Sequence, residues 1–306
     1  MTVKIALVRH VVGEQSKGPS DDELRAAAAA LQSQIVVDVA PIWGISGVVS
    51  TFGRAEEVPA GHLPVIVVAG KELPAKRRAF HLLAAGQPAA LVEYGEDWTV
   101  AASHELVEML CDPLGTRTIP GPSLVDGRQE REHEPQGLVE YLMEVCDPCE
   151  SSSYAVDGVQ VSDFVTPQYY GLPSDSGNRY SFTGRLSAPL RLNGGGYITW
   201  RTEAGDVWQA FAPGDPGQHE VPIDQLEIKQ LPERPLALSR QWIDAHPEAI
   251  QRPTGAPADP STQRSLPSYG EALNQEVGLR LNNPRFWREV DDDPDARNFL
   301  AWLPHR

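Results

Sequence analysis

Apolar and polar positions alternate between two rhythms over the first hundred residues. "VKIALV" (3–8) is a short continuous apolar run, which predicts a strand. "DDELRAAAAALQSQI" (21–35) has the length and alanine content of a helix, with Ser20 and Asp21 placed to cap its start. "VVDVAPIWG" (36–44), "PVIVVAG" (64–70) and "AALVEYG" (89–95) are β-branched runs bounded by Gly or Pro, and each reads as a strand. "KRRAFHLLAAG" (76–86) reads as a short helical piece between the last two. This order of elements predicts a mixed α/β sheet.

The pattern then predicts a helix from Thr99 or Ser103 to Cys111, ended by Pro113, because proline disfavours helical geometry in the residue before it. At helical spacing His104, Glu108, Cys111 and Asp112 share about an 80 to 100° wedge, and Leu106, Met109 and Leu110 lie opposite. "QGLVEYLMEVCDP" (136–148) reads as a second amphipathic helix, with Glu140, Glu144 and Asp147 on one face. Asp157-Gly158 between two β-rich runs predicts a hairpin. In its second strand Asp163 shares a face with Val159, Val161 and Val165, so a buried Asp163 needs a partner. "YITWRTEAGDVWQAF" (197–211) reads as another hairpin, preceded by "NGGG" at 193–196. From about Glu233 the chain turns proline-rich, and it ends in an aromatic segment with Phe286, Trp287, Phe299 and Trp302.

Charge narrows the partners. With 42 acidic against 26 basic side chains, net -16, the chain would repel phosphate backbones and anionic lipid, which argues against nucleic-acid and membrane-surface partners. No run approaches the roughly 18 apolar residues of a spanning helix, and the N-terminus lacks a signal-peptide core, so a cytoplasmic location is expected. Three cysteines argue against a disulfide framework.

The chemistry sits in "SHELVEML" (103–110) and "EYLMEVCDPCE" (140–150). A His and a second ligand at i+4 place two donors over one point, and a Glu at i+1 reaches a metal-bound water as general base. Residues 101–116 hold no Lys or Arg, so their acidic groups repel one another unless spread apart or neutralised by a cation. Two other ligand sets stay open. His104 with Cys111, Cys146 and Cys149 would make a closed structural zinc site, and Asp112, Glu144, Asp147 and Glu150 would suit calcium. Cys146-x-x-Cys149 also has the spacing of a thiol redox pair.

"SHELVEML", entered from a β/α half with an edge strand at "AALVEYG", resembles the active-site helix of zincin-like metallopeptidases. "EYLMEVCDPCE" resembles the glutamate-bearing helix of those zincins that take their third ligand from a second helix. Together with "VSDFVTP" (161–167) these motifs resemble a group of bacterial and phage proteins of zincin type. The resemblance covers roughly residues 1–170. It implies an α/β (α+β) zincin-like fold over 1–175; the residue pattern beyond it reads as a β-rich extension (176–232) and a proline-rich strap with an aromatic tail (233–306). It implies metal-dependent hydrolysis of a peptide or amide substrate, with His104 and Glu108 as ligands, Glu105 as general base, and Glu144 as third ligand. Asp147 is its substitute or second-shell partner, and Asp163 could orient His104. Glu108 stands in a histidine slot, so manganese, iron and calcium compete with zinc. A non-catalytic, cation-stabilised module, presenting its aromatic tail to a protein partner, is the alternative.

Overall fold

The structure, a computed structural model, describes residues 2–11, 16–69, 73, 78–84, 87–125, 135–150, 152–172, 179–214 and 220–232. The proline-rich strap and its four aromatic anchors lie outside the described residues. Sheets and helices both contribute, giving a mixed α/β molecule whose described residues cluster into two compact units. The first takes in the chain up to Leu114 together with Ala155–Val161. The second takes in Gly115–Tyr154 and the described residues from Ser162 onward.

The first unit is built on a five-stranded sheet: β1 (Val3–Val11), β2 (Gly47–Phe52), β3 (His62–Ala69), β4 (Ala79–Ala84) and β5 (Gln87–Glu93), in the order β2-β1-β3-β5-β4. All neighbours are parallel except β4, which runs antiparallel to β5 at the edge. Helix α1 (Asp21–Ser33) starts in a capping box, Ser20 and Glu23 satisfying each other's backbone donors. It continues through a π-helical turn (Gln34–Val39) into α2 (Ala40–Trp43), closed by Gly44 in the left-handed region. Helix α3 (Trp98–Cys111) packs on β3, β4 and β5.

Three sequence expectations are corrected in this unit. Residues 36–44 are helical, not a strand. The widened π turn sits immediately before Pro41, whose missing N–H and bulky ring an unbroken α-ladder tolerates poorly. "AFHLLA" within 76–86 is strand β4, not a helical piece, and this makes β4 the edge strand and puts β5 inside. Counted together, Asp21–Trp43 is also long and apolar enough by composition to cross a membrane. Leu24, Ala27, Leu31, Ile35 and Val39 are buried within the fold, as in the core helix of a globular unit.

The hairpin strands β8 (Ser153–Val156) and β9 (Val159–Ser162) form a two-stranded sheet of their own, and the second unit carries an antiparallel sheet that includes β6 (Thr118–Pro122), β7 (Leu138–Leu142), β11 (Tyr197–Thr202) and β12 (Val207–Phe211), beside a two-residue β10 (Leu192–Asn193). β13 (Glu220–Val221) pairs with β10, and β14 (Glu227–Gln230) completes the main sheet in the order β14-β12-β11-β7-β6. Fully buried Tyr141 and Trp200 face each other across β7 and β11, ring centres 5.8 Å apart. Pro120 and Pro122 are accommodated because β6 is an edge. The expected hairpins at 154–167 and 197–211 are present, the first turning at Asp157 and Gly158, both with positive φ. The expected helix at 136–148 is not: residues 138–142 are strand β7, followed by a 3-10 turn at Asp147–Cys149. Val139 and Tyr141 point inward there and Glu140 outward, a period of two that replaces the helical one.

Candidate metal centre

Helix α3 is buried on all sides. His104 is 4 % exposed, Glu105 3 % and Glu108 0 %, beside Leu106, Met109 and Leu110, which take the core positions expected of them. The expected polar face is therefore covered. Ser103 Oγ donates to Gln34 Oε1 at 2.8 Å, tying this turn of α3 to the π turn. Asp112 ends the helix, its N–H donating to the Glu108 carbonyl at 2.6 Å, and is itself buried.

The sequence reading missed His81. Register sets His81 opposite Ala90, while its neighbour Phe80 pairs with Leu91 and joins the apolar cluster of Ala6, Val8, Ile66 and Val68 on the other face. Alternation along β4 therefore turns His81 to the side that α3 covers. Its Nδ1 lies 2.9 Å from Glu105 Oε2 and 3.7 Å from Glu108 Oε2, and His104 Nε2 lies 3.4 Å from Glu108 Oε1. Two imidazoles and two carboxylates, all buried, thus meet within the first unit. His81 stood among apolar residues in a segment that reads as a short helical piece. The Gly86-Gln87-Pro88 stretch behind it was the available sign of a hairpin.

In the second unit Glu144, Asp147 and Glu150 are each buried, not arrayed on a helix face. The Glu144 carbonyl accepts from the Tyr170 hydroxyl at 3.2 Å. Glu140 is at the surface and pairs with Arg201 at 2.8 Å, which removes it from the acidic cluster the sequence suggested.

Asp163 is fully buried and has the partners its position demanded. Phe182 N–H donates to the Phe164 carbonyl, bringing Thr183 alongside, and Asp163 accepts from Phe164 N (2.8 Å), Thr183 N (3.0 Å) and Thr183 Oγ1 (2.5 Å). Burial raises its pKa and these bonds oppose the shift. Cys111, Cys146 and Cys149 are buried and form no disulfide. Burial pushes the Cys149 thiol well up, and the neighbouring Asp163 carboxylate adds to this.

Buried His, Glu and Asp side chains in this chain could hold a metal ion. His81 and Glu108 in the first unit offer ligand atoms within 4.8 Å of one another, as do Asp147 and Glu150 in the second. Among the described residues none of these groupings includes a cysteine, Asp112 or Asp163. The donors are imidazole nitrogen and carboxylate oxygen. The chain matches no family model, no curated protein and no solved structure.

Proposed function

We propose that this chain is a metal-dependent hydrolase of the zincin-like type, acting on a peptide or amide bond. The observation that carries the reading is the approach of His104 and Glu108, one helical turn apart on α3, with Glu105 between them and all three buried. His104 and Glu108 act as ligands in this proposal. A divalent cation held there would polarise a substrate carbonyl and acidify water. Glu105 takes the proton from the attacking water. His81, 2.9 Å from Glu105 Oε2, holds that carboxylate in one orientation. Metal content of protein purified without chelator, followed by hydrolysis of a mixed peptide library, tests the reading. Glu105→Gln is expected to keep the metal and lose activity by about 100-fold or more, the scale of general base catalysis. A variant that keeps both metal and full rate overturns the role of Glu105.

Burial of the three α3 side chains favours a second reading, in which the cation is structural. Chelation would then lower the melting temperature strongly while no peptide or amide substrate is turned over by the metal-loaded chain.

A further inference from the structure

The two oxygens of Glu108 face different histidines. Oε1 lies 3.4 Å from His104 Nε2, and Oε2 lies 3.7 Å from His81 Nδ1. Both separations exceed the 2.7–3.2 Å typical of an N–H···O hydrogen bond. The 2.9 Å contact of His81 with Glu105 falls inside that range, so the same imidazole makes one direct bond and one longer approach. Two donor atoms each about 2.1 Å from a tetrahedral ion lie about 3.4 Å apart. The His104–Glu108 separation has that value, and the His81–Glu108 separation is about 0.3 Å longer, within a small side-chain adjustment.

The anchoring is also suited to two positions. His104 and Glu108 are fixed on one helix at i and i+4, and His81 comes from β4, a strand that α3 packs against. The carboxylate between them is fully buried, where an anion is stabilised only by close opposite charge or hydrogen bonds. Two imidazoles on opposite oxygens of one buried carboxylate are the arrangement of a bridging ligand.

We infer that the site takes two divalent cations, with Glu108 as the shared carboxylate, His104 on one ion and His81 on the other. This rests on the metal-site reading above and extends it from one ion to a pair. Such pairs lie about 3.5–4 Å apart in two-metal sites and clamp the attacking and leaving oxygens of a displacement. One ring nitrogen cannot both donate to a carboxylate and coordinate an ion, so the second ion would take the place of the Nδ1 contact of His81 with Glu105.

The test loads the full chain, stripped by chelator and dialysed, with Mn2+, counts bound metal by plasma mass spectrometry and records its electron paramagnetic resonance spectrum. About two equivalents with an exchange-coupled spectrum are expected. One equivalent overturns the pair and leaves the single-metal reading standing, whereas none overturns both. Two equivalents with the spectrum of isolated Mn2+ overturn the shared carboxylate. His81→Gln is expected to hold one uncoupled ion, and a folded His81→Gln protein that keeps a coupled pair overturns the assignment of His81. The spectrum of the unmodified chain decides the matter even where that variant fails to fold.

Discussion

Single residues in this chain take their roles from a neighbour distant in sequence. Asp163 is an example whose energetics can be separated by pH. Its folded pKa lies above the ordinary 3.8, chiefly through burial. An acid raised in this way favours folding fully below its unfolded value, and that contribution is lost as pH rises through the folded one. Asp163→Asn keeps an acceptor for the Phe164 and Thr183 N–H groups and removes the charge. Urea unfolding at a series of pH values is therefore expected to show the Asn variant gaining on the native chain as pH rises above 3.8. A difference independent of pH would contradict this. Asp163→Ala leaves the buried Phe164 N–H and the half-buried Thr183 N–H without that acceptor and is expected to cost about 1–3 kcal/mol. The presence of a carboxylate needing partners was legible from its place among valines. Thr183, which supplies two of its bonds, lies twenty residues further on and carries no local sign of the pairing.

Elements were legible where one periodicity spoke alone. Helix α1 and the strands at 3–8, 64–70 and 89–95 follow from length, cap and composition. Residues 36–44 and 136–148 were misread because β-branched residues fit a buried helix and a Glu-rich run fits a strand with one outward face. Gly196 shows how closely two elements approach. A Cβ there would stand 2.6 Å from the Pro148 carbonyl oxygen and 3.0 Å from that of Asp147, both backbone atoms of the 3-10 turn. Gly196→Ala is expected to destabilise the second unit by about 1–3 kcal/mol, read from denaturant midpoints. At Gly47 the obstacle is the Ile5 side-chain terminus, also at 2.6 Å, so Gly47→Ala is expected to cost less. Equal losses would contradict the argument from backbone against side chain.

For the whole molecule the testable quantity is linkage between folding and the cation. A metal that binds only the folded chain stabilises it by about 2.7 kcal/mol when present at 100 times its dissociation constant. Chelation is expected to lower the melting temperature of the native chain and to leave that of His104→Ala nearly unchanged. An equal response from both would remove His104 from the ligand set.

The sequence by itself determined that strands and helices mix and that His104, Glu105 and Glu108 sit together on one helix. Those features depend on composition and on spacing within a turn, which are local. Tertiary structure decided that "AFHLLA" is an edge strand, that Glu140 is a surface residue, and that His81 meets Glu105 and Glu108. Each of these depends on which strand pairs with which and in what register. A one-residue slip of β4 would turn His81 to the opposite face of the sheet, so no reading of 76–86 in isolation could have placed it.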